Sequence, residues 1–220
     1  MVQEALEKKG LQVTKKDWAD PEFDWSSARV LLFRTTWDYF HRFDEFEPWL
    51  KHVSEITTLI NPAEQIVWNI DKHYMADLEA KGIPIVPSYF IKRGASTTLK
   101  EIHNQVGWTE TVVKPTVSGA ARHTYRLNPD NYAEHEELFA KLILKEDFML
   151  QPFQKNILTD GEASHVVIGG SYSHSVLKIA KKGDYRVQDD FGGTVHRYAT
   201  SPEERAFAEK VVAACNPVPA

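Results

Sequence analysis

Lys114 closes the apolar run Thr111-Val112-Val113-Lys114-Pro115 and is followed by Thr116-Val117-Ser118-Gly119-Ala120-Ala121. A strand reading Val-Val-Lys is buried along its valine side, so its lysine either snorkels to water or meets an anion. The short turn through Ser118 and Gly119 leaves backbone N–H groups free to help hold that anion. Further on, Lys178 and Arg186 are separated by Lys181-Lys182-Gly183-Asp184. Strands folded back at that turn would let the two cations converge on one ligand, with the planar fork of Arg186 suited to phosphate or carboxylate. The pair Gly192-Gly193 lets backbone approach a ligand closely. Each feature also has a plain reading as a solvated strand end or surface cation.

Other chemistries lack their signatures. GxGxxG, GxxxxGK[ST], HExxH, CxxC and GxSxG are all missing from the sequence. His123, His165, His174 and His196 are scattered through strand and loop segments, where histidines are more often solvated or structural than metal ligands. No metal ligand is assigned within the 220 residues.

A longer order of segments adds to this. Trp68-Asn69-Ile70-Asp71-Lys72 and Gly82-Ile83-Pro84-Ile85-Val86-Pro87 precede Lys114. After it come Gln151-Pro152-Phe153, Gly161-Glu162-Ala163-Ser164, Leu177-Lys178-Ile179, Gly183-Asp184-Tyr185-Arg186-Val187-Gln188 and Gly192-Gly193. Over residues 61–200 the chain resembles the ATP-grasp superfamily, in the branch of prokaryotic glutathione synthetases and related carboxylate-amine ligases. The resemblance implies that Lys72 and Lys114 point at nucleotide phosphates together with Ser118 and Gly119. It implies that Gln151, Pro152 and Phe153 meet the adenine, with Glu162 on the ribose. Arg186 would steady the transferred phosphoryl or an acyl phosphate, with Lys178 beside it as the second catalytic cation. Gln188 would belong to a flexible loop over the site. Ser164 would lie on the substrate side, at a position where glutathione synthetases often carry arginine, which argues against a glutathione precursor.

The implied reaction is ATP-dependent joining of a small-molecule carboxylate to an amine or similar nucleophile, with release of ADP and phosphate. A nucleotide-binding or regulatory module without turnover is the alternative. ATP and Mg²⁺ are the implied cofactors. The family's magnesium ligands, an Asp and a Glu-x-Asn, have no counterpart here and are expected beyond residue 220, so the chain is either a fragment or a binder that does not complete the chemistry. Family members often dimerise, so a homodimer is one expectation.

These residues need elements to position them. A helix over residues 2–9 leads to Leu11-Gln12-Val13 and to the strand Val30-Leu31-Leu32-Phe33. A parallel sheet wants a strand before the first helix, so either the fold is abbreviated or residues before Met1 are missing. Phe43, Phe46, Trp49, Leu50 and Val53 fall on one helical face before a strand at Thr57 to Ile60. This part resembles the small doubly wound domain that precedes the ATP-binding unit. Ligands in open α/β sheets lie beyond the carboxyl ends of strands, so Arg34, Thr35, Thr36, Trp37 and Asp38 form a substrate-site candidate; a surface loop packed over Trp37 is the plain alternative.

Past Asn61-Pro62 a helix over residues 71–81 closes on Gly82 and leads into a strand at Ile83 to Pro87. A strand over residues 124–127 gives way to a helix with Tyr132, Leu138, Phe139, Leu142 and Ile143 as its stripe. Residues 148–153 form a strand, and residues 163–187 form antiparallel strands turned at Gly169-Gly170 and at residues 181–184. Ser201-Pro202-Glu203-Glu204 opens a last helix with Phe207, Val211, Val212 and Cys215 on its apolar face. The expected fold is therefore α/β (α+β), an ATP-grasp fold apparently truncated at both ends. It would comprise a pre-ATP-grasp domain over 1–61, a first subdomain over 62–147 and an incomplete second subdomain over 148–220.

Composition sets outer limits. A chain of 220 residues with 42% hydrophobic content can bury a core of one or two domains. The net charge of -5 gives no global basic field, so nucleic acid is not expected as a partner. The single cysteine, Cys215, forms no internal disulfide, and no apolar run reaches the roughly 20 residues that span a bilayer. A cytoplasmic setting without membrane attachment is expected.

Overall fold

A computed structural model describes residues 2–215 and 217–219. Met1, Asn216 and Ala220 lie outside them. The chain divides into two compact units, Met1–Ala63 and Glu64–Ala220.

The first unit opens with α1 (Val2–Glu7), which buries no residue. Its centre is a strand–helix–strand repeat of β1 (Val30–Leu32), α2 (Phe43–Ile56) and β2 (Thr58–Ile60), with β1 and β2 parallel in the register Leu31↔Leu59. Phe46, Leu50 and Val53 recur at helical spacing and form the buried stripe of α2. Trp18, Trp25, Phe33 and Trp49 complete an aromatic cluster with centroids 5.2–5.7 Å apart, the edge-on and tilted packing that aromatic quadrupoles favour. Residues 11–13, read from sequence as a strand, form no regular element. Leu11 and Gln12 are exposed and Val13 is only half-buried, so no buried face holds the segment in a ladder.

In the second unit the four-stranded antiparallel sheet has the order β3-β6-β4-β5, from β3 (Tyr89–Ile91), β4 (Thr111–Pro115), β5 (Tyr125–Leu127) and β6 (Phe148–Pro152). Helices α5 (Leu99–Val106) and α6 (Tyr132–Leu142) cover one face, and Leu99, Ile102, Val113, Leu127, Phe139 and Phe148 form the core between them. Each such side chain contributes about 1.5–3 kcal/mol on burial. The N-terminus of α5 carries a complete capping box, Thr98 with Glu101, and Glu136 of α6 accepts the Leu99 and Lys100 N–H groups at 2.9 Å. His103 ties α5 to β4: Nδ1 donates to Leu99 O at 2.7 Å and Nε2 is hydrogen-bonded to the Thr111 hydroxyl at 2.8 Å.

The second sheet is β7 (Glu162–Ile168), β8 (Ser171–Ile179) and β9 (Thr194–Arg197), all antiparallel. Gly169 and Gly170, both at positive φ, make the β7–β8 turn. Helix α7 (Pro202–Ala214) packs beside this sheet and starts as read, with Ser201, Pro202 and Glu204 in a capping box.

Four local expectations change. The helix read over 71–81 is confined to α4 (Tyr74–Ala80), with a separate α3 (Ala63–Ile70) before it; in the turn between them Asp71 Oδ1 takes the His73 N–H at 3.0 Å and competes with helical bonding. The strand at 83–87 begins only at Tyr89, after Pro84 and Pro87 have removed two donors. The chain does not continue as a strand through Val187; the third strand of the sheet is β9. Phe207 is 42% exposed, and only Ala208 of α7 is buried. Strand β6, where the sequence reading starts a second subdomain, is a central strand of the four-stranded sheet. Among the described residues no helix is long and apolar enough to cross a membrane.

Candidate functional site

Alternation along β4 sends Val113 into the core and leaves Val112 and Lys114 on the opposite face. Both line a cavity of about 340 Å³, within the roughly 300–1,000 Å³ range of small-molecule sites. Burial pushes the Lys114 ammonium below the ordinary lysine value, opposed by the charge of Glu162. Lys72 joins it from the turn between α3 and α4. Its N–H donates to Thr116 O at 3.0 Å, and its Nζ donates to Thr116 O at 3.1 Å and Ser118 O at 2.8 Å. Burial first, then repulsion from Lys114 and Arg122, lowers its pKa to about 8, while Asp71 opposes the shift.

Ser118, Gly119, Ala120 and Ala121 form the next stretch of wall. Ala120 and Ala121 have φ of 48° and 57°, and His123 follows at 49°. Among the described residues the N–H groups of Gly119, Ala120 and Ala121 have no acceptor. Uncommitted donors beside two lysines suit an anion.

Much of the remaining lining is less polar. Val86, Val112, Ile157 and Val187 line it with Gln151, Pro152 and Phe153. Phe153 is buried, with the Arg126 guanidinium 3.9 Å above its ring and Tyr185 edge-on at 5.7 Å. Gln151 Nε2 donates to Ser88 Oγ at 2.9 Å. The Phe153 N–H is committed to Glu110 O at 2.9 Å, so the open main-chain donor here is the Gln154 N–H, which has no acceptor among the described residues.

The structure brings Lys72, Lys114, Ser118, Gly119, Gln151, Pro152, Phe153, Glu162, Arg186 and Gln188 to one cavity. It does not converge Lys178 and Arg186 on it. Lys178 sits opposite Glu162 in the β7–β8 ladder and donates to its Oε1 at 3.1 Å, outside the lining. Arg186 is held by Asp184, with Nη2 to Oδ2 at 2.6 Å, and stacks over Phe191 at 3.7 Å. The Arg186 guanidinium and two backbone N–H groups hold the Asp184 carboxyl well below the usual carboxylate range. Ser164, in β7, is not part of the lining. Gln188 Oε1 is buried with no donor among the described residues, and Gly193 is required nearby, since a Cβ there would stand 2.1 Å from Val187 O.

In the first unit, Arg34, Thr35, Thr36, Trp37 and Asp38 follow β1, as read. Thr35 has φ 55° and Trp37 is 73% exposed. Asp38 accepts from Trp18 Nε1 at 2.7 Å and Arg42 Nη1 at 3.2 Å, contacts that lower its pKa against partial desolvation.

Sequence reasoning missed Val86, Val112, Gln154, Ile157 and Tyr185 as lining residues. Val112 was accessible from the two-residue alternation with Lys114, whereas the others come from segments whose approach depends on tertiary folding. Among the described residues no three His, Cys, Asp or Glu side chains cluster as a metal site, and Glu162, the cavity's carboxylate, is paired with Lys178.

The family model for the N-terminal domain of D-cycloserine synthetase DcsG matches residues 1–61. Over 224 residues the chain is 30% identical to the cycloserine biosynthesis protein DcsG of Streptomyces lavendulae, covering 96% of this chain and 72% of that protein. The crystal structure of D-cycloserine synthetase DcsG matches with a TM-score of 0.86 at 28% identity, over 97% of this chain and 73% of that one. The ATP-grasp ligase PsnB, in complex with a phosphomimetic variant of its minimal precursor, Mg and ADP, matches with a TM-score of 0.61 at 16% identity, over 97% of this chain and 77% of that one. At that identity the likeness to PsnB is one of fold, as is the resemblance to glutathione synthetases.

Proposed function

Since the chain belongs to the ATP-grasp superfamily, as an ATP-dependent ligase, we propose that it joins a small-molecule carboxylate to an amine or similar nucleophile through an acyl phosphate. In the first step a carboxylate oxygen attacks the γ-phosphorus and ADP leaves. In the second the nucleophile attacks the acyl carbon, loses its proton and expels phosphate. Both steps concentrate negative charge on oxygens, so positioning and charge stabilisation supply most of the catalysis. Lys72, Lys114 and the N–H groups of Gly119, Ala120 and Ala121 hold the phosphates. The slot of Val86, Ile157, Val187 and Phe153 takes the base, and Glu162 takes the ribose. Arg186 steadies the transferred group from its seat on Asp184. Arg34, Thr35, Thr36, Trp37 and Asp38, in the domain over 1–61, are the candidates for the substrate side. The likeness to DcsG makes D-cycloserine formation the first reaction to test.

The observation that carries this reading is the meeting of Lys72 and Lys114, far apart in sequence, in one cavity that Val86, Val112, Ile157, Val187 and Phe153 also line. Magnesium is expected to accompany the nucleotide, as in the PsnB complex with Mg and ADP. The second reading is a nucleotide-binding module without turnover. Thermal stabilisation by Mg-ATP that is lost in Lys114→Ala, followed by ADP release with small carboxylates and amines, supports the ligase. Stabilisation without ADP release supports the module. A folded protein that no nucleotide stabilises would sink both.

A further inference from the structure

The loop carrying Ser118, Gly119, Ala120 and Ala121 is held from outside the cavity by a pair with no part in the reaction just described. Arg122 donates to both oxygens of Glu146, Nη2 to Oε1 at 2.6 Å and Nη1 to Oε2 at 2.9 Å. Their side chains are only 20% and 21% exposed. This parallel fork is the most directional ion-pair geometry that side chains offer. Neither residue lines the cavity.

Each partner is anchored differently. Glu146 stands next to Asp147, whose carbonyl takes the Thr116 N–H at 3.0 Å, just ahead of β6, so it is fixed to the four-stranded sheet. Arg122 closes the loop on itself. Its N–H donates to Gly119 O at 2.9 Å and its carbonyl accepts Ser118 Oγ at 3.0 Å. Between these ties lie Ala120 and Ala121 in the left-handed region, which is unfavourable for an L-residue. A loop in that conformation relaxes unless something outside it opposes the change, and the Arg122–Glu146 fork ties it to the sheet.

Resting on the ATP-cleft reading above, we infer that Arg122 and Glu146 are a positioning pair that holds the loop's N–H groups in place for nucleotide phosphates. Loss of the fork weakens phosphate binding although neither side chain touches the nucleotide.

The test compares wild type, Glu146→Gln, Arg122→Lys and the exchange Arg122→Glu with Glu146→Arg, by calorimetric titration with Mg-ATP and melting without nucleotide. Glu146→Gln is expected to weaken Mg-ATP binding roughly ten-fold, the scale of a lost charged hydrogen bond. Arg122→Lys, which keeps the charge but not the fork, is expected to lose part of that affinity, and the exchange to restore most of it. Glu146→Gln binding Mg-ATP like wild type overturns the inference. So does a loss of affinity that merely follows the loss in melting temperature and is not restored by the exchange. If Glu146→Gln does not fold, Arg122→Lys decides: wild-type affinity in that variant overturns the pair. Wild type failing to bind Mg-ATP overturns the cleft reading, and the inference with it.

Discussion

Lys72 and Lys114 share a cavity but differ in how each is held. The Lys114 ammonium has no hydrogen-bond partner among the described residues, whereas that of Lys72 is fastened to two carbonyls. With its pKa at about 8 against the ordinary 10.5, Lys72 binds fewer protons in the folded chain than in the unfolded one between those values. Stability from this group therefore rises with pH across that window, because unfolding must take up a proton there. The charge it offers a phosphate moves the other way and fades above about pH 8. Mg-ATP affinity should decline as the pH is raised through 8 without a matching decline in apo melting temperature, and Lys72→Arg should flatten the profile; a pH-independent affinity in wild type would contradict this. Lys114 was legible from the run Val-Val-Lys-Pro alone. The hold on Lys72 was not, since its carbonyl partners lie 44 and 46 residues away in sequence.

The strands that build the cavity were easier to read than the loops that shape it. Strands β4 and β6 follow from apolar runs, and α7 from Ser201-Pro202-Glu203-Glu204. Helix α5 was missed although Thr98, Glu101 and Gly107 mark both its ends, with Gly107 left-handed at φ 71°. Strand β9 was missed for a physical reason. All four of its residues are exposed, so no buried face imposes alternation. The segment between β8 and β9 depends on Gly193, whose missing Cβ lets Val187 O approach. Gly193→Ala should cost about 1–3 kcal/mol and displace Val187 and Gln188 from the cavity wall. It should therefore reduce the thermal shift produced by Mg-ATP as well as the melting temperature itself. A variant with normal melting and a normal nucleotide shift would show that the segment tolerates the clash.

Every residue lining the cavity lies between Lys72 and Gln188, inside the second unit. Residues 64–220 expressed alone should fold and keep the stabilisation by Mg-ATP, while ligase turnover should need residues 1–63, where the substrate candidates lie. Loss of nucleotide stabilisation in a folded 64–220 chain would tie the cleft to the first unit. The pairing of Lys178 with Glu162 and of Arg186 with Asp184 has a further consequence for the whole molecule. Arg122 and Arg126 nearby are likewise paired, with Glu146 and Glu110, so among the described residues Lys72 and Lys114 are the cavity cations without an acidic partner in an ion pair. Ionic strength should therefore act weakly on binding, because the pairs present little net field and the two free lysines are partly shielded from mobile ions. Titrations from low to high salt should show a shallow loss of affinity in wild type. Asp184→Asn, by leaving the Arg186 charge without its counterpart, should turn that shallow dependence into a steep one.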